Sequence, residues 1–84
     1  MTEQEAKLKL TAELSQIYGV TEGIRMAGTV VPGIMNDFSQ MVRDKSGETV
    51  QEEYRLEDGG GVVILTGKML KGTISYETVQ VSNF

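Results

Sequence analysis

The run Gly61-Val62-Val63-Ile64-Leu65-Thr66-Gly67-Lys68-Met69 constrains this chain more than any other stretch. Its β-branched and aliphatic residues suit a pleated strand. It is the most strand-like run of the chain and reads as a central strand, with a neighbour on either side. The segments before and after it can fold back to supply those neighbours.

Pairing tests that reading. With Lys71-Gly72 as a two-residue turn, Leu70 stands opposite Thr73. Ile64 then meets Val79 and Val62 meets Val81 on one face, here called A. On the other face, B, Met69 meets Ile74, Gly67 meets Tyr76 and Leu65 meets Thr78. Ile74/Tyr76 and Val79/Val81, out of phase along their own strand, are thereby assigned to opposite faces. Upstream, residues 48–56 form a first strand, because Gly47 ends the preceding helix. A glycine-rich connection places Leu56 opposite Val62 and Tyr54 opposite Ile64. Face A gathers Tyr54, Leu56, Val62, Ile64, Val79 and Val81, and face B gathers Val63, Leu65, Met69, Ile74 and Tyr76.

The N-terminal half is helical in pattern. Thr2-Glu3-Gln4-Glu5 is a capping box, and Ala6, Leu10, Leu14, Ile17 and Tyr18 recur at three and four up to Gly19, a natural C-cap. Thr21 is placed to cap a short helix bearing Ile24, Ala27 and Val31, although Ile24, Met26, Gly28 and Val30 also alternate as a strand would. Pro32-Gly33 interrupts that stretch. Ile34, Met35, Phe38, Met41 and Val42 then form an amphipathic stripe ending near Asp44. The expected architecture is α+β: two or three N-terminal helices packed on a three-stranded antiparallel β-meander. One domain spans residues 1–84, helical over about 2–44 and β over about 48–82. The stripes Leu10/Leu14/Ile17 and Phe38/Met41/Val42 are expected on face A, against Tyr54, Ile64 and Val79.

Composition narrows the chemistry. The chain has no cysteine and no histidine, so thiolate chemistry, disulfides and the commonest metal ligand are absent. A net charge of −4 disfavours nonspecific attraction to nucleic acid or anionic lipid. Met1-Thr2-Glu3-Gln4 is unlike a basic, apolar leader and no run has the length of a membrane span, so a soluble cytoplasmic protein is expected. Lys68, Lys71, Ser75 and the tyrosines form no nucleophile–base arrangement, and nothing calls for a cofactor. The expectation is a non-enzyme.

Residues 14–27 have the outline of a helix-turn-helix, with Gly19 at the turn and Thr21 opening the second helix. Arg25 stands where an apolar residue belongs and is the only cation of that second helix, so DNA binding is kept as a weak alternative. Gly59-Gly60-Gly61 leads from acidic residues into a strand and reads as a hairpin connection, not a phosphate loop. Glu48, Glu52, Glu53, Glu57 and Asp58 are relieved only by Arg55. They describe either a solvated edge strand or a binding edge for a basic partner, as in a small inhibitor or adaptor. The leading expectation is a protein–protein interaction module. Helices on face A leave Val63, Leu65, Met69, Ile74 and Tyr76 as the patch for a homodimer or another protein. The competing arrangement folds residues 24–31 across face B.

Overall fold

The computed structural model describes residues 1–56 and 60–83, the side chain of residue 83 apart. Three helices, α1 (Glu3–Tyr18), α2 (Val20–Thr29) and α3 (Val31–Asp44), precede three strands, β1 (Val50–Arg55), β2 (Gly61–Leu70) and β3 (Thr73–Asn83). The strands form one antiparallel sheet in the order β1-β2-β3, with β2 central. The α+β architecture and its helix-then-meander order are as the sequence predicts.

α1 opens on the capping box: the Glu5 N–H donates to Thr2 Oγ1 at 3.2 Å and the Thr2 N–H to Glu5 Oε1 at 2.9 Å. Ala6, Leu10 and Leu14 are its buried stripe. Gly19, at φ 92°, ends α1 and starts α2 directly, so Thr21 does not serve as a cap. The buried face of α2 is Gly23 and Met26, whereas Ile24 is 62% exposed. A Cβ on Gly23 would stand 2.6 Å from Ser15 Cα, so the glycine that weakens α2 by propensity is what lets it lie against α1. Pro32 occupies the first turn of α3, where its missing N–H costs nothing. The helical stretch is thus broken just before the Pro-Gly pair, as expected, and the pair lies in the first turn of the next helix.

The β2–β3 turn has Lys71 at φ 53° and Gly72 at φ 84°, the positive angles a two-residue hairpin needs. Leu70↔Thr73, Met69↔Ile74 and Gly67↔Tyr76 pair as expected. Beyond them the ladder departs from the predicted register. Thr66 pairs with Thr78, which leaves Glu77 as an extra residue of β3, and Leu65 then meets Val79 and Val63 meets Val81. β1 is also displaced by one residue, with Tyr54 opposite Val63 and Arg55 opposite Val62. A one-residue change of register turns side chains to the other face.

The two corrections gather the apolar residues on one side. Val50, Tyr54, Val63, Leu65, Tyr76, Val79 and Val81 face the helices, α1 lying against β3 and α3 against all three strands. Val63 and Leu65 are fully buried and Tyr76 is 1% exposed, its ring tilted against Phe38 at 5.7 Å. Met69 and Ile74 are partly buried against the same core. Of the five residues expected to form a free face, Val63, Leu65 and Tyr76 are therefore core and Met69 and Ile74 pack partly buried against it, all covered within one chain. Ile64, expected under the helices, lies on the opposite, open face between Glu53 and Gln80.

Two pairs of substitutions check this packing in chemical denaturation. Leu65→Ala is expected to cost about 2–5 kcal/mol and Ile64→Ala about 1 kcal/mol; the reverse order would refute the register. Gly23→Ala should cost about 1–3 kcal/mol through its clash with α1. Gly28→Ala, with nothing within 4 Å of the new Cβ, should add about 0.5–1 kcal/mol.

Candidate interaction edge

The two outer edges of the sheet are finished differently. Along β3, the Met1 amine donates to the Tyr76 carbonyl at 2.7 Å and the Tyr76 N–H donates to the Met1 carbonyl at 2.9 Å. Further on, the Val81 N–H donates to Glu13 Oε1 at 2.9 Å. Along β1 no backbone group outside the sheet's own ladder is paired in this way among the described residues. The Leu56 N–H donates to the Gly61 carbonyl at 2.9 Å, which sets the phase of the β1–β2 ladder. By the alternation of an antiparallel pair, Gln51, Glu53 and Arg55 turn their N–H and C=O groups away from β2. All three side chains are exposed.

Beside this edge lies a groove of about 790 Å³. It exists because α2 packs on α1 and α3 and makes no close approach to the sheet. Met26, Val30 and Ile34 line it from the helical side, and Tyr54 and Leu56 from the strand. Thr29, Arg25, Glu53 and Arg55 supply polar and charged groups. The Tyr54 hydroxyl donates to Asp37 Oδ2 at 2.7 Å and so ties β1 to α3 next to the groove. Burial above all, then the hydrogen bond to Asp37, holds the Tyr54 hydroxyl well above the ordinary phenol range. It remains a donor throughout the neutral range.

The acidic residues do not form one surface. Glu53 projects on the open side of β1, Glu52 is half-buried on the helix side, and Glu48 is exposed just before the strand. Glu57 and Asp58, with Gly59 of the expected glycine connection, lie outside the described residues. Met26, Val30 and Ile34 were not foreseen as site residues. The competing helix and strand patterns of residues 20–33 concealed Met26 and Val30, while Ile34 was assigned only to the apolar stripe of α3; the early start of α3 removes the ambiguity. Arg25, the cation of the helix-turn-helix reading, is engaged by the Glu22 carboxylate, its Nε donating at 2.6 Å.

A smaller groove of about 380 Å³ separates the first turn of α1 from Arg43 and the β2–β3 hairpin. Tyr76 lines it, yet its hydroxyl is sealed from solvent and has no hydrogen-bond partner among the described residues. Burial and the Glu3 carboxylate raise that hydroxyl's pKa, with Arg43 pulling the other way. Among the described residues no group of His, Cys, Asp or Glu is placed to hold a metal ion, and no helix is long and apolar enough to cross a membrane. Comparison with protein-family models, curated proteins and solved structures finds no match to this chain.

The Tyr54–Asp37 tie can be measured by a double-mutant cycle. Tyr54→Phe and Asp37→Ala are expected to couple by about 1 kcal/mol, as befits a partly exposed hydrogen bond to a carboxylate. Coupling near zero would mean that packing alone holds β1 against α3.

Proposed function

We propose that this chain is a non-catalytic protein–protein interaction module that takes a basic partner along the outer edge of β1. The observation that carries the reading is the unequal treatment of the two sheet edges. β3 is closed by Met1 and Glu13, while among the described residues nothing pairs the outward groups of β1, beside a groove of mixed apolar and charged lining. An open edge is a template for pairing, and such edges are normally blunted or covered.

Charge selects the partner. Glu48, Glu52 and Glu53 border or occupy β1 against the single cation Arg55, in a chain of net charge −4. A basic surface is attracted to such an edge, and complementary charge raises encounter rates and rejects wrong partners. A second copy of β1 has fewer registers open to it. Antiparallel self-pairing centred on Glu53 or on Glu52 sets that carboxylate against its own copy, whereas centring on Tyr54 sets Glu53 opposite Arg55. Like charges directly opposite are destabilising. Nucleic acid is repelled by the same carboxylates, and Arg25 already has Glu22 beside it.

Selection of random displayed peptides on the immobilised domain at low salt tests the reading. Enrichment in lysine and arginine is expected. The selected peptides should bind a Glu48→Lys/Glu53→Lys variant at least about tenfold more weakly, with the circular dichroism unchanged. Both side chains are exposed, so the fold should tolerate the reversal. Binders with no basic excess, or equal binding to the variant, would overturn the proposal.

A further inference from the structure

We infer that the basic partner binds as an added strand: an extended segment pairs with β1 as the fourth strand of the sheet and sends alternate side chains into the groove. This rests on the preceding assignment of a basic partner to β1 and specifies its shape and sequence pattern.

The backbone of β1 sets the pairing. Its outward N–H and C=O groups recur at Gln51, Glu53 and Arg55, two residues apart, as a neighbouring strand requires. The six residues of β1 match the length of an ordinary strand, so the edge accommodates a short peptide without change of fold. Added-strand complexes take affinity from main-chain hydrogen bonds and specificity from pockets that receive every second side chain.

The two sides of that added strand meet different surroundings. A residue opposite Glu53 lies on the open side of the sheet, beside an exposed carboxylate, and is basic. A residue opposite Tyr54 lies on the helix side, where the groove offers Met26, Val30 and Ile34, and is apolar. Arg55 disfavours a cation directly across from it, so the basic residues concentrate toward Gln51 and Glu53. The partner is therefore a segment alternating basic and apolar residues. The Tyr54–Asp37 hydrogen bond holds the strand side of the groove in place before the peptide arrives, which lowers the ordering cost of binding.

The test uses the full chain and a soluble peptide of about eight residues alternating lysine and valine, the length of a typical strand. Two further peptides carry backbone N-methyl groups, one on every lysine and the other on every valine. A fourth replaces valine by serine. Strand addition predicts that one N-methyl series loses affinity at least about tenfold while the other binds as the parent does. Antiparallel addition silences the lysine series and parallel addition the valine series, because N–H direction and side-chain face alternate together. The serine peptide should bind about tenfold more weakly than the parent. Amide exchange at Gln51, Glu53 and Arg55 should slow on binding, while that at Glu52 and Tyr54, already paired to β2, should not change. Equal binding of both N-methyl series with no new amide protection, but loss on Glu48→Lys/Glu53→Lys, would overturn strand addition and leave the basic-partner assignment standing. No binding of any of the four peptides at low salt would overturn both.

Discussion

The extra residue at Glu77 is what allows one face of this small sheet to be apolar along its whole length. Side chains of a strand alternate with period two, so Ile74/Tyr76 and Val79/Val81 cannot share a face in a regular strand. Inserting one unpaired residue restores the phase, and β3 then contributes all four to the helix side. Glu77 itself is exposed and lies 3.9 Å from Lys68, so the irregularity carries a residue that belongs in water. Just below it, Gly67 faces Tyr76, and a Cβ there would stand 2.7 Å from the Ser75 carbonyl and 3.3 Å from the Phe38 ring. The aromatic pair and the missing side chain fit one another.

Once a single sheet face carries the core, the helices have one place to go. α1 and α3 lie on that face, while α2, drawn against α1 by the Gly23–Ser15 approach, stands off the strands. The groove beside β1 is the space this leaves. Its apolar lining comes from residues that also pack inward, Met26 and Ile34 among them, so the groove is an extension of the core to the surface. A chain of this size has little apolar material to spare for a separate site.

The same geometry separates the two sheet edges. α1 runs along β3, near enough for Met1 and Glu13 to satisfy outward backbone groups of that strand. Among the described residues no element runs along the outside of β1, where Glu53 stands exposed instead. Carboxylates on an edge discourage pairing with another copy and at the same time favour a partner of opposite charge. Hindrance to self-pairing through Glu52 or Glu53 and, in the function proposed above, selection of a basic segment both follow from this one placement of charge.

Much of the architecture was legible in the residues themselves. The capping box at Thr2 and Glu5, the stripe through Leu10 and Leu14, and the Lys71-Gly72 turn are local signals, each decided within a few residues of chain. They correctly implied helices followed by a meander, and they paired Met69 with Ile74 and Gly67 with Tyr76. The fate of Val63, Leu65 and Ile64 was not local. A regular ladder and a bulged ladder satisfy the same hairpin turn, and they differ by one residue of phase that exchanges core for surface. Packing decides between them, because only the bulged register lets Val63, Leu65, Tyr76, Val79 and Val81 share one cover of helices. Residues 20–33 were ambiguous for a related reason. Their glycines and proline weaken every local preference, and only the contact of Gly23 with α1 and the position of Pro32 in the first turn of α3 give them a structure. The charges of β1 could be read from the sequence, but the groove beside it arises only when α2 is held away from the sheet.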